Sequence, residues 1–93
     1  VEVNTYLYVI AASESGPVKI GYSAVPEKRV RQLQTGHPQP LALFYQQGTD
    51  LASAKLIERL VHRTIGYLRS HGEWFDLTVE DAIAEVQVGL MSA

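Results

Sequence analysis

Two apolar segments joined by turn residues open the chain, and they constrain the fold more than any other feature. Residues 5–11 read T-Y-L-Y-V-I-A, residues 13–17 read S-E-S-G-P and residues 18–22 read V-K-I-G-Y. Aromatic and β-branched side chains fit a pleated strand, whereas adjacent Gly and Pro punctuate one. The pair is read as an antiparallel hairpin with a loop of five or six residues. Side chains alternate across a strand, so Tyr6, Tyr8 and Ile10 share one face and Leu7 and Val9 the other. The chain has 93 residues, enough for one small domain with one modest core.

Proline fits the first turn of a helix, so Pro26 opens a helix that runs to Gln34, with Gly36 as its stop. H-P-Q-P at 37–40 is a rigid loop, and Leu41–Gln46 reads as a third strand. Thr49 or Asp50 caps a longer helix, in which Leu56, Ile57, Leu60, Val61, Thr64 and Leu68 recur at three- and four-residue steps. Gly66 weakens the last turn and Gly72 ends the region. G-E-W-F-D-L is a short extended or looped piece. T-V-E-D at 78–81 resembles a capping box with Asp81 in the usual Glu position, and the helix after it aligns Val79, Ile83, Val86 and Leu90. The expected fold is α+β, a small three-stranded sheet flanked by helices in the order β-β-α-β-α-α. It forms a single domain over residues 1–93.

At 46% hydrophobic and 19% charged residues the chain reads as globular rather than disordered. It contains no cysteine, which excludes a disulfide framework and a Cys-based zinc site. That absence and the lack of a secretory signal point to a cytoplasmic or intracellular setting. The longest apolar run, Leu7–Ala12, is too short to span a bilayer, so no membrane role is expected. The first residue is Val1 rather than Met, which suggests a piece of a larger parent protein.

Net charge is −2, but its distribution is uneven. All eight basic residues lie between Lys19 and Arg69, where only Glu27, Asp50 and Glu58 oppose them, leaving that segment at +5 and the flanks at −7. If the acidic ends fold to the far side, a basic face results, as nucleic-acid binding requires. Ordinary solvated helix faces give the same pattern.

Lys19 alternates with Val18 and Ile20 and so faces away from them, toward whatever the partner strand presents, with Tyr8 as its expected neighbour. In one reading its stem packs under tyrosines while the ammonium reaches water. In the other, burial and nearby arginines ready a lysine or a phenol to act as general base. Arg29, flanked by Lys28 and Arg31, is either a solvated helix charge or a planar fork for phosphate. Glu58 and His62 form an i,i+4 pair at the edge of the apolar stripe. A carboxylate there holds a hard divalent cation or simply pairs along the helix with Lys55 or His62. No complete set of zinc ligands is present.

Taken in order, these residues resemble the GIY-YIG nuclease superfamily, and within it a small stand-alone branch with K-I-G as second motif and G-E-W-F near the end. Tyr6-Leu7-Tyr8 stands at the first motif and Lys19-Ile20-Gly21 at the second. Arg29 is the helix arginine, Leu56-Ile57-Glu58 carries the glutamate, with His62 one turn on, and Gly72-Glu73-Trp74-Phe75 closes the pattern. The resemblance spans about residues 5–77, with 78–93 as a C-terminal helix.

The resemblance implies a metal-dependent DNA endonuclease or nicking domain. Glu58 would be the ligand of one Mg2+ or Mn2+ ion, Arg29 would neutralise charge on the phosphate, and Tyr8 or Lys19 would deprotonate the attacking water. Lys28, Arg31, Arg59 and Arg63 would grip neighbouring phosphates without reading sequence. His62 and Glu73 are auxiliary candidates, and Trp74 and Phe75 are read as core packing, with base stacking as the lesser alternative. DNA is the expected partner, with RNA left open, and a larger parent protein or separate partner would supply specificity.

Two departures stand out: the first motif is Y-L-Y, and Lys19 replaces the second tyrosine. The alternatives are a nucleic-acid-binding module of the same fold that cleaves weakly or not at all, and a protein-interaction domain. Joint presence of Tyr8, Arg29 and Glu58 favours the enzyme, because a carboxylate repels phosphate unless a cation intervenes.

Overall fold

The computed structural model describes residues 2–92, so Val1, the residue that suggested a trimmed start, lies outside the described residues. The expected hairpin forms: β1 (Thr5–Ala11) pairs antiparallel with β2 (Val18–Ser23), in register from Tyr6 opposite Ser23 to Ala11 opposite Val18. α1 (Pro26–Gln34) follows with the predicted bounds. β3 (Ala42–Thr49) then pairs antiparallel with β1, running three residues past the predicted end because Gln47, Gly48 and Thr49 continue the ladder opposite Leu7, Tyr6 and Thr5.

The sheet is larger than the sequence pattern predicts. It has five strands in the order β3-β1-β2-β5-β4 rather than three. The added strands are β4 (Arg69–His71), where the expected long helix runs out before Gly72, and β5 (Trp74–Phe75), in the piece read as extended or looped; together they make a second hairpin. Gly72 makes its turn with φ +56°, a conformation glycine adopts without steric cost. Phe75 and Trp74 pair with Val18 and Lys19, occupying backbone groups on the outer edge of β2 that would otherwise go unpaired. Strands of three and two residues are too short to show alternation. The element order is therefore β-β-α-β-α-β-β-α.

In α2 (Leu51–Thr64) the cap is Asp50, whose carboxylate accepts from the Ser53 N–H and hydroxyl, each at 2.9 Å. These bonds hold the Asp50 carboxyl below the usual range. The helix stops at Thr64 and one 3-10 turn, Gly66–Leu68, leads into β4. Its buried stripe is Ala54, Ile57 and Val61, continued by Ile65. Leu56 is 43% exposed and Thr64 is also exposed, so the stripe is rotated from the one expected. Three- and four-residue steps fit both registers, and packing against the sheet and the last helix selects the one with small Ala54 inward.

That last helix is α3 (Val79–Ser92). Thr78 Oγ1 accepts from the Asp81 N–H at 3.1 Å, the forward half of the expected box. Its buried line is Val79, Ala82, Val86 and Gly89, with Ile83 and Leu90 half-buried beside it. A Cβ at Gly89 would meet Ile57 Cγ2 at 3.0 Å, so the absence of a side chain lets α3 approach α2.

Leu7, Val9, Ala11, Val18 and Ile20 form the sheet side of the core, and Ala54, Ile57, Val61, Val86 and fully buried Phe75 pack with them. Each large apolar side chain so buried contributes about 1.5–3 kcal/mol. The opposite face carries Tyr8, Ile10 and Lys19, all buried, and α1 contacts β1, β2 and β3 there. β1 is thus covered on both sides, which explains its unbroken apolar run. Among the described residues no helix is long and apolar enough to cross a membrane.

Candidate functional site

The hairpin register decides which side chains meet. Tyr8 stands opposite Gly21, and Ile10 opposite Lys19. Opposed residues share a face, so Tyr8 and Lys19 are diagonal neighbours on one side of the sheet rather than a direct pair. The Tyr8 ring crosses Gly21: a Cβ there would meet the phenol oxygen at 2.5 Å and Cζ at 2.8 Å. α1 brings Arg29 to the same place, where its Nε donates to the Tyr8 hydroxyl at 3.4 Å and its Nη1 to Gln32 Oε1 at 3.4 Å. Burial pushes the Tyr8 phenol above its ordinary range. The Arg29 hydrogen bond and charge oppose that shift, and the negative charges of Glu58 and Glu73 add to it.

Lys19 is 7% exposed, and its Nζ lies 3.2 Å from Glu73 Oε1. The lysine inside an apolar strand is thus ion-paired, with a partner contributed by the β4–β5 turn. The Lys19 hydrogen bond and charge hold the Glu73 carboxyl below its usual range, with smaller support from His62 and Arg69.

α2 reaches the site from the far side of β2. β5 pairs with β2 only at Val18 and Lys19, and just beyond, His62 Nε2 lies 2.8 Å from the Ile20 carbonyl oxygen. A carbonyl only accepts, so this ring nitrogen donates. The His62 ring also packs on Phe75 at 5.0 Å between centroids. These contacts fasten α2 to the middle residue of K-I-G and so set the position of Glu58, one turn earlier. The Glu58 carboxyl is half-buried, and burial raises it above the usual range; His62 opposes, Glu73 adds, and Lys19 opposes. Glu58 and Glu73 therefore act electrostatically on Tyr8 and on each other, and Lys19 acts on both carboxylates. Among the described residues Glu58 has no ion-pair partner.

The four basic residues read as phosphate grips are all exposed, but they divide between two helices. Lys28 and Arg31 flank Arg29 on α1; Arg59 and Arg63 follow Glu58 on α2, whose buried residues pack on the other face of the sheet. They form two pairs rather than one stripe. Among the described residues no group of three His, Cys, Asp or Glu is arranged to hold a metal ion. What the arrangement offers is a carboxylate at Glu58 with no ion-pair partner among the described residues, in the field of His62, Glu73 and Lys19, and a lone carboxylate suits a hard cation that keeps most of its waters.

Three participants are not among the expected site residues. Gly21 is one: a glycine inside a strand often marks a close approach, and here the approach is the Tyr8 ring. The second is His37, in the loop after α1, whose ring lies 5.2 Å from that of Trp74. The third is Trp74 itself, read as core together with Phe75 with base stacking as the lesser alternative. Phe75 is fully buried, but Trp74 is only partly covered, because pairing with Lys19 turns it to the Lys19 face.

The family model of the T5orf172 domain matches residues 5–88, a span that holds every candidate residue above and most of α3. No curated protein and no solved structure matches the chain.

Proposed function

We propose, from the premise that the chain belongs to the T5orf172 domain family, that it cleaves phosphodiester bonds in DNA as a metal-dependent nuclease of GIY-YIG type. The observation that carries this reading is the convergence of Tyr8, Arg29 and Lys19 on one face of the sheet, together with a half-buried carboxylate at Glu58 that has no ion-pair partner among the described residues and whose charge bears on Tyr8.

Glu58 fits a cation. It lacks an ion-pair partner among the described residues, and burial disfavours its charge, so a positive ion would relieve both. Magnesium or manganese suits one carboxylate completed by water and phosphate oxygens, and when bound supplies a Lewis acid for the phosphate. Arg29 presents a guanidinium that stays charged and stabilises the negative charge that builds on the phosphate. Of the two candidate bases, Tyr8 is the one whose oxygen Arg29 contacts; burial raises its phenol, and the Arg29 hydrogen bond and charge work against that shift. Tyr8 orients the water, and takes its proton in the phenolate form that Arg29 favours and burial opposes. Lys19 is held by Glu73 and acts as a fixed positive charge toward the phosphate. Lys28, Arg31, Arg59 and Arg63 hold the backbone on either side.

The test is nicking of supercoiled plasmid with magnesium or manganese against EDTA, beside Glu58→Gln. Metal-dependent nicking, reduced about a hundredfold or more in Glu58→Gln with DNA binding retained, is the expected result. Wild-type binding without nicking would instead support the non-cleaving module, and absence of binding to DNA or RNA at low salt would overturn both.

A further inference from the structure

Next to the Lys19–Glu73 pair lies a cleft that the cleavage chemistry does not use. It sits between the loop after α1 and the β4–β5 hairpin, has a volume of about 380 Å³, and is lined by Leu33, His37, Pro38, Ser70, His71 and Trp74 among others. That volume falls within the range of small-molecule pockets, and the lining joins aromatic and apolar surface with a few polar groups. The indole and imidazole meet at 5.2 Å with a 41° tilt, so they form an angled corner rather than a closed stack.

The corner is built, not incidental. Gln34 at the end of α1 clamps the 37–41 loop: its side-chain N–H groups donate to the His37 carbonyl at 3.4 Å and the Gln39 carbonyl at 2.9 Å, and its Oε1 accepts from the Leu41 N–H at 2.7 Å. Pro38 and Pro40 stiffen the same loop. His37 Nδ1 is engaged by the Gln39 backbone, at 3.2 Å from its N and 3.1 Å from its carbonyl oxygen, which leaves Nε2 available to a ligand. Trp74 is positioned from the other side by its pairing with Lys19. That pairing sets Lys19, its ammonium held by Glu73, on the neighbouring strand and on the same side of the sheet as Trp74.

We infer that this cleft seats an unpaired nucleobase of the strand being cleaved, stacked on Trp74 and bordered by His37. The inference rests on the nucleic-acid reading above and deepens it: the substrate would be single-stranded, or would carry a base extruded from its duplex. Stacking on an aromatic ring is indifferent to base identity, which suits a domain whose hairpins and helices show no groove-reading element.

Trp74 is the chain's one tryptophan, so its fluorescence reports on the cleft directly. The probes are a labelled thymidylate oligomer of about eight nucleotides and an abasic deoxyribose-phosphate oligomer of equal charge. Thymidylate should quench Trp74 and bind about five- to a hundredfold tighter than the abasic strand. His37→Ala should narrow that gap, Trp74→Ala should abolish it, and Trp74→Phe should keep most of it. If Trp74→Ala fails to fold, His37→Ala and the quenching still decide the matter. A duplex with a single-nucleotide bulge that quenches where plain duplex does not would identify the extruded source; quenching by the single strand alone would identify the other. Equal affinity for both oligomers without quenching overturns the inference and leaves the nucleic-acid reading standing. Binding of neither at low salt overturns both.

Discussion

The phenol of Tyr8 lies across the backbone of Gly21, its cross-strand partner, so closely that a methyl group on that glycine would meet the ring at 2.5–2.8 Å. The tyrosine of the first motif and the glycine of the second are therefore one structural unit. The glycine makes room for the ring, and the ring's hydroxyl reaches Arg29 because that room exists.

Gly21→Ala should accordingly displace Tyr8. Overpacking of this kind costs about 1–3 kcal/mol, or a drop in Tm of roughly 4–8 °C per kcal/mol for a domain of this size. Nicking should fall further than stability does. Gly21→Ala with Tyr8→Phe should recover part of the lost stability, because the hydroxyl contact goes while the Cζ contact stays. Thermal melts of the four proteins of the cycle test this; strict additivity would mean the two residues are independent.

Arg29 supplies both influences that favour the Tyr8 phenolate, a hydrogen bond and a charge. In Arg29→Ala the phenol should titrate at still higher pH than in the parent, as followed by ultraviolet difference absorbance. Nicking should fall about a hundred- to a thousandfold, the range for loss of one donor aimed at developing negative charge. An unchanged tyrosine titration would break the assigned link between the two.

Lys19 is a costly choice for a buried strand position unless its charge is used. Its partner Glu73 has 61% of its side chain exposed, so the pair contributes no more than about 1 kcal/mol. Lys19→Met should therefore melt within a few degrees of the parent, since an apolar side chain of similar shape replaces a buried charge without penalty. DNA affinity should nevertheless drop, and the salt dependence of binding should lose about one counterion's worth of slope. A large loss of stability with unchanged salt slope would make Lys19 structural.

Glu58 gives a pH signature of defined sign. Burial raises its folded-state pKa above the unfolded value, so the folded chain binds the proton more tightly. Stability then decreases as pH rises from the unfolded value through the folded one, and the deficit is absent below both. Glu58→Gln should thus match the parent near about pH 3.5 and exceed it in Tm near about pH 7, with a difference of modest size because the group is half exposed. Magnesium should close the gap at the higher pH by stabilising the parent alone. A variant less stable than its parent at neutral pH would contradict the assignment.

Much of this was legible in the chain. The first hairpin, the bounds of α1, the Asp50 cap and the order of the first five elements follow from local chemistry: β-branched runs, an opening proline, a carboxylate ahead of a helix. The candidate residues Tyr8, Lys19, Arg29 and Glu58 come from the family resemblance, since each by itself also reads as an ordinary structural or solvated residue. The second hairpin does not, because strands of three and two residues are held by pairing with β2 and not by any pattern of their own. The buried stripe of α2 does not either, since its three- and four-residue steps fit two adjacent registers and only the neighbours distinguish them.

Local chemistry in the chain set the first five elements, the last helix and the ionisable groups they carry, because propensity, capping and turn chemistry act over a few residues. Tertiary packing set the second hairpin, the passage of Tyr8 over Gly21, the return of Glu73 from 54 residues away to pair with Lys19, and the shared cleft of Trp74 and His37. Those outcomes depend on strand register and on the far edge of β2, where residues distant in the chain must satisfy one another's backbone and charge.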